Sequence, residues 1–177
     1  MLEGKTVNLR VVEKEDMPLV VEWWNSLEVA GDYQFPPQMS KAEIEKEIEK
    51  SFSDALSGGF IIEKKNGSKI GYVGHYLAGR LLEIGYAIIP SERGKGYCSE
   101  AAQIMVDYLF LSKDTVRVQA HTDPKNVASQ RILEKIGFKK EGVVRKSSFI
   151  RGEWRDRCLF SILREEWKEP KILTKTA

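Results

Sequence analysis

The stretch 81–111 constrains this chain more than any other. It begins with the strand-like run LLEIGYAII and stops at Pro90, because proline has no N–H to give a sheet ladder. Arg93-Gly94-Lys95-Gly96 follows, and then the apolar run AAQIMVDYLFL reads as a helix. A glycine turn that leads from a strand into a helix start is an anion site. Its backbone N–H groups have no intrahelical partner, and the positive end of the helix dipole points the same way. The polar positions of that helix, Glu100, Gln103 and Asp107, fall on one narrow stripe, which predicts a helix wetted along one line and packed against a sheet elsewhere.

Two familiar phosphate loops do not fit. A Walker A loop needs G-x-x-x-x-G-K followed by Ser or Thr. A dinucleotide fingerprint needs a third glycine where Ser99 stands, and an acidic residue about 20 positions on. By itself the turn therefore supports an anion-binding helix start and no more.

At 177 residues the chain is expected to be one domain, long enough to bury roughly 70% of its unfolded surface. A net charge of +2 is too mild to argue for nucleic acid. No apolar run approaches the roughly 18 residues of a membrane span, and MLEGKTVNLR lacks the apolar core of a secretory signal. Cys98 and Cys158 lie far apart, and with two histidines, His75 and His121, no metal site is expected. These features together predict a cytoplasmic protein.

Val7–Val11 alternates as a half-buried strand, and 13–25 reads as a helix with Asp16 and Pro18 in its first turn. Residues 30–39 carry Tyr33, Phe35 and two prolines, a loop that either fills space or covers a small-molecule pocket. Ser40 and Glu43 form a capping-box pattern, and Ile44, Ile48, Phe52 and Leu56 give the helix they open one apolar stripe. Strands are expected at 59–64 and 69–76 around Asn66-Gly67, a hairpin signal. A strand at 116–120 leads to a helix at 127–136 that buries Ala128, Ile132, Leu133 and Ile136 and ends on Gly137. Two strands, 139–147 and 155–164, close the chain. The domain is set at 1–168, with 169–177 a polar tail that frays.

The residues of the turn resemble the acyl-CoA loop of the GNAT N-acetyltransferases, Gln/Arg-x-x-Gly-x-Gly/Ala. Arg93 and Gly96 match, and Cys98 stands where Gly or Ala is usual. Three further blocks are similar to the branch that acetylates the N-termini of ribosomal proteins. They are Leu9-Arg10 with Asp16; Asn126-Val127-Ala128-Ser129-Gln130-Arg131 running into Glu134-Lys135-Ile136-Gly137-Phe138; and Gly152-Glu153-Trp154-Arg155-Asp156 with Glu166-Trp167. The resemblance spans nearly the whole chain. It implies a single-domain α/β (α+β) fold with a mixed, mostly antiparallel twisted sheet of about seven strands. Helices cover both faces, and strands 4 and 5 splay apart.

The resemblance also implies acetyl-CoA as co-substrate, with the pantetheine arm lying in the splay. Backbone groups of Ile88 and Ile89 would pair with it. Gly94, Lys95, Gly96, Tyr97, Cys98 and Ser99, after Arg93, would hold the pyrophosphate. Asn126 and Ser129 would face the arm from the other side, and Arg131 would reach the nucleotide end. Asn126 has a second reading as a helix N-cap, and Arg93 and Lys95 as solvated charges.

The implied chemistry is amine attack on a thioester. It needs a neutral amine and a proton for the departing thiolate. Many members of the family place a tyrosine seven residues after the helix-start asparagine; here that position is Leu133. Ser129 is the expected replacement acid and Glu83 the expected base, with His75 a second candidate, or part of the acceptor wall with Tyr33 and Phe35. An α-amine near pKa 7.7–8.0 is roughly a tenth neutral at pH 7, whereas a lysine amine is only about 0.04% neutral. A site without a strong base therefore suits an α-amine. The acceptor is expected to be a primary amine, foremost a protein N-terminus. A polyamine, an aminoglycoside and a CoA sensor that has lost catalysis stay open. RNA contact through Lys139, Lys140, Arg145, Lys146, Arg151, Arg155 and Arg157 is a weaker reading, and a homodimer through the last strands is a further expectation.

Overall fold

In the computed structural model one eight-stranded sheet runs through the molecule, in the order β1-β2-β3-β4-β5-β6-β8-β7. Described are residues 1–34, 36, 38–53 and 56–172, with the backbone alone at 50–53. The strands are β1 Leu2–Glu3, β2 Val7–Val11, β3 Gly58–Lys64, β4 Lys69–Ala78, β5 Leu81–Ile88, β6 Arg117–Thr122, β7 Lys139–Ile150 and β8 Glu153–Leu163. The helices are α1 Met17–Asn25, α2 Leu27–Ala30, α3 Lys41–Ser53, α4 Tyr97–Ser112, α5 Val127–Lys135 and α6 Arg164–Trp167. The two-residue β1 raises the count from the expected seven to eight. All pairings are antiparallel except β5 with β6.

That parallel pair is where the sheet opens. It is joined only at Leu82↔Val118 and Glu83↔Gln119, the first halves of both strands. Beyond Glu83 the strands diverge, which places the expected splay here, between strands 4 and 5 once β1 is set aside. The α4 helix follows β5 and α5 follows β6, so two helix N-termini flank the open end of the gap.

Two hydrophobic layers cover the sheet. On one face Ile104, Met105 and Leu109 of α4, Leu133 of α5 and Ile136 just after it pack on Val73, Ile84, Val118 and Phe160. On the other, Val20 and Trp23 of α1 and Ile44 of α3 pack on Ile61, with Tyr72 and Ala87 at the margin. Side chains alternate across a strand. Tyr72, Gly74 and Tyr76 therefore share the second face with Glu83, Gly85 and Ala87, their register partners on β5.

Local signals read correctly wherever the chemistry is local. Ser40 and Glu43 exchange hydrogen bonds as a capping box. The Phe138 N–H reaches Leu133 O at 2.9 Å and the Gly137 N–H reaches Glu134 O at 3.1 Å, a Schellman end with Gly137 at φ 100°. Arg151 and Gly152, at φ 52° and 82°, form a two-residue turn between β7 and β8, so the closing strands reach Ile150 and start at Glu153, nearer the turn than the expected 139–147 and 155–164.

Four expectations need correction. The α4 stripe is not wet: Gln103 is 6% and Asp107 0% exposed. Asp107 accepts from Gln103 Nε2 one helical turn earlier and, from far along the chain, from Trp167 Nε1 and the N–H groups of Lys171 and Ile172, so the buried carboxylate is satisfied. Those last two bonds tie the chain back past Trp167, so fraying does not begin there. Ala128 is exposed, because the buried arc of α5 is narrower than its apolar composition. Leu56 lies beyond the end of α3 and is 39% exposed; the Phe52 side chain lies outside the described residues.

Candidate active site

Gly94 and Gly96 have φ of 75° and 87°, and a Cβ at either would meet nothing within 4 Å. Conformation, not space, requires glycine at both. The first intrahelical bond of α4 runs from Glu100 N–H to Gly96 O at 3.2 Å. The N–H groups of Tyr97, Cys98 and Ser99 lie ahead of it and point out of the helix end. The Glu100 carboxylate is held elsewhere, by the Thr6 N–H at 2.8 Å and the Thr6 hydroxyl. The turn is therefore free to meet an anion with backbone amides.

The two basic side chains of the turn are otherwise engaged. Arg93 donates from Nε to Ile88 O at 3.0 Å and from Nη2 to Glu28 O and Val29 O, each at 2.9 Å. It fastens the turn to α2 instead of standing as a free charge. Lys95 pairs with Glu92 at 3.1 Å, and Lys64 meets the same carboxylate at 3.2 Å. Burial pushes the Cys98 thiol up to about 12, against the opposing pull of Arg93, which favours the protonated thiol.

Along β5, Gly71↔Ile88 is a pair whose main-chain groups point away from each other, since the Ile89 N–H donates to Ile70 O at 3.0 Å. The main chain of Ile88 therefore faces the gap, with its carbonyl already accepting from Arg93 Nε. Ile89 does not: its N–H is spent on β4. The same alternation turns the main chain of Tyr86 into the gap, a position that sequence reasoning missed.

Across the gap, Asn126 Oδ1 accepts the Ser129 N–H at 3.1 Å. Asn126 is thus the N-cap of α5, its second reading. Ser129 Oγ lies 3.0 Å from the Tyr86 hydroxyl, so these two side chains meet over the splay. Burial pushes the Tyr86 phenol well above its ordinary value, with the Ser129 hydrogen bond opposing. Leu133 is 1% exposed, inside the main core, and Arg131 is exposed on α5.

Glu83 is 6% exposed. It accepts from Tyr76 Oη at 2.7 Å and from Gln119 Nε2 at 3.0 Å, and His121 Nδ1 lies 2.9 Å away. The cluster sits where β5 and β6 are still paired, one step from where they part. Burial, and then the Glu83 hydrogen bond, push the Tyr76 phenol up. Tyr76, Gln119 and His121 were missed because they join Glu83 only through register. The clue was in the pattern: Gln119 and His121 stand two apart on a strand, on one face.

A cavity of about 650 Å³ lies on the same sheet face, under α1 and α3. Val20, Trp24, Ile48, Ile61, Tyr72 and Tyr76 are among its walls. This size suits a small molecule or a peptide end. His75 touches the cavity, yet the residue is 4% exposed and its ring packs edge-on at 6.1 Å from Tyr108 of α4, on the opposite face of the sheet from the cleft. Tyr33 is half-buried beside the cavity's Gln34, and Phe35 lies outside the described residues. Among the described residues, no group of three His, Cys, Asp or Glu is placed to hold a metal ion, and no helix is long and apolar enough to cross a membrane.

An anion-binding helix end, a splay with main chain exposed on β5, and an adjoining cleft fit a nucleotide thioester laid through the sheet with an acceptor beside it. Comparison with known proteins agrees. The GNAT acetyltransferase domain model matches residues 6–139. An uncharacterized N-acetyltransferase, p20, of Bacillus licheniformis is 31% identical over 94% of this chain and 97% of its own length. Spermidine N(1)-acetyltransferase of Escherichia coli is 27% identical over 94% of this chain and 91% of its own. The E. coli alanine N-acetyltransferase of ribosomal protein uS5 is 32% identical over 48% of this chain and 43% of its own. The crystal structure of Vibrio cholerae spermidine N-acetyltransferase with CoA and spermine superimposes with a TM-score of 0.81 at 23% identity, covering 93% of this chain and 99% of that one. The chain belongs to the GNAT acetyltransferase family and is an N-acetyltransferase that draws its acetyl group from acetyl-CoA.

Proposed function

We propose that this enzyme acetylates a primary amine, foremost the α-amine of a protein N-terminus, by direct attack with donor and acceptor bound together. The observation that carries this reading is Glu83. It is a buried carboxylate that meets Tyr76, Gln119 and His121 beside the point where the sheet opens. An α-amine needs little help to become neutral, and one carboxylate reached through a water suffices to take its proton.

Bound acetyl-CoA supplies an activated acetyl group as a thioester. The amides of Gly94 and of Tyr97 to Ser99 hold its pyrophosphate, the main chain of Tyr86 and Ile88 orients its arm, and Arg131 lies toward the nucleotide end. The N–C bond forms as the C–S bond breaks. Glu83 accepts the proton that the amine loses, and Ser129 donates one toward the sulfur. Tyr86, held protonated by burial and 3.0 Å behind Ser129, restores it. Ser129 and Tyr86 together thus stand in for the tyrosine absent at Leu133.

The second reading is a polyamine acceptor, supported by the full-length similarity to a spermidine acetyltransferase. Thiol release from acetyl-CoA, measured with N-terminal peptides, spermidine and an aminoglycoside, separates them. Turnover confined to peptides supports the α-amine. Turnover confined to spermidine replaces it. CoA binding with no turnover of any amine leaves a sensor.

A further inference from the structure

Three glycines stand side by side across the sheet. Gly59 of β3 pairs with Gly74 of β4, and Gly74 pairs with Gly85 of β5. All three are in contact with the cavity. None has a positive φ, and a Cβ added at Gly59 or Gly85 would meet nothing within 4 Å. Neither backbone strain nor packing asks for glycine at those two positions. Glycine inside a strand weakens it, and one such position often marks close approach of a ligand to the backbone. Three in register make a trench that crosses three strands and ends at β5, beside the gap.

The banks of this trench differ. On one side Ile61, Tyr72 and Ala87 form the adjacent row, roofed by Val20 and by Trp24, whose ring lies 6.3 Å from that of Tyr72. On the other, Tyr76 and Glu83 form the row. Among the described residues lining the cavity, Glu47 is the one carboxylate, and it sits exposed on α3. A second or third ammonium group lying in the trench would be desolvated against aromatic and aliphatic walls, which is costly when the lining carboxylate, Glu47, is exposed on α3 and Glu83 already serves the reacting amine.

We propose that the trench selects an amine carrying an apolar or aromatic substituent and no second charge, such as an N-terminal leucine or phenylalanine, over polyamines and over small polar N-terminal residues. The amine reaches the gap over Gly85, beside Glu83, while its substituent lies against Tyr72 and Trp24. This inference rests on the α-amine reading and narrows it.

The test compares kcat/KM for peptides beginning with Leu, Phe, Ala or Ser, for phenethylamine and for spermidine, in the wild type and in Gly59→Val. Expected is a preference of about tenfold or more for the Leu and Phe peptides, the scale on which apolar pockets discriminate. Gly59→Val should lower their kcat/KM by a similar factor, with the Kd for CoA and the Tm held. Should Gly59→Val fail to fold, Gly59→Ala gives the same direction with a smaller change. Phenethylamine turned over while every peptide fails removes the α-amine reading and keeps the apolar trench. Ala or Ser peptides turned over ahead of Leu and Phe keep the α-amine reading and overturn the trench. Spermidine at or above the apolar acceptors, or a Gly59→Val enzyme unchanged toward the Leu peptide, also overturns it.

Discussion

Two buried carboxylates, Asp16 and Glu83, are tied near the two ends of β4 and are held in opposite ways. Asp16 is 1% exposed and meets Arg10 at 2.8 and 2.9 Å, Lys69 at 2.6 Å and the Glu13 N–H at 2.9 Å. Burial would raise its pKa. The bonds from Arg10, Lys69 and the Glu13 N–H outweigh that and hold the carboxyl well below the usual range. Two cations and a backbone donor fix one protonation state, and the group clamps β2 and β4 to the start of α1. Glu83 is about as buried, yet it accepts from a phenol and a carboxamide, with an imidazole alongside. Its hydrogen bonds come from uncharged donors, and the Arg157 guanidinium acts on Glu83 and Tyr76 through its charge. A carboxylate surrounded by full cations is a structural clamp; one held beside a cleft by a phenol and a carboxamide is placed to meet a substrate amine.

The comparison breaks if Glu83→Gln leaves turnover intact. Expected is a fall in kcat of about 10²–10⁴, the usual range for a general base, with little loss of stability because glutamine still accepts from Tyr76. Asp16→Ala should do the reverse. Removing one partner of a buried ion pair costs roughly 3–5 kcal/mol, read from denaturant unfolding, while per-molecule kcat in the folded fraction changes little. Acid unfolding sharpens the contrast. A depressed folded pKa means that the Asp16 contribution is complete above the unfolded value of about 3.9 and is lost as pH falls below it toward the folded value. The wild type should therefore lose stability below about pH 4, and Asp16→Asn should show a shallower loss in the same window. The smallest effect belongs to Tyr76→Phe. It removes one neutral hydrogen bond to Glu83, worth about 1 kcal/mol, and should lower kcat by roughly tenfold or less and shift the pH profile of kcat more than it shifts KM.

The basic end of the chain makes a related point. Read from the sequence, Lys139, Arg151 and Arg155 look available to an RNA. In the fold Lys139 pairs with Glu166 and Arg155 with Glu153. Arg151 and Arg155 also donate to Gly31 O and Asp32 O, which ties the β7–β8 hairpin to the rim of the acceptor side.

The sequence by itself determined what depends on neighbours in the chain. Gly94 and Gly96 announce a left-handed turn, and the helix after them announces orphan amides, because both follow from local backbone geometry. Ser40 with Glu43, Gly137 with Phe138, and Arg151-Gly152 announce their caps and turn for the same reason. The family resemblance placed the gap beside β5. Tertiary structure decided the rest. That Arg93 serves carbonyls of α2, that Ile89 faces β4 while Tyr86 faces the gap, that Asp107 is buried and satisfied, and that Gly59, Gly74 and Gly85 line up in one row are all consequences of strand register and of contacts distant along the chain. Register is set by the summed burial of whole strands. No single residue encodes it, so the donor turn was legible in the sequence while the acceptor trench appeared only once three strands were laid side by side.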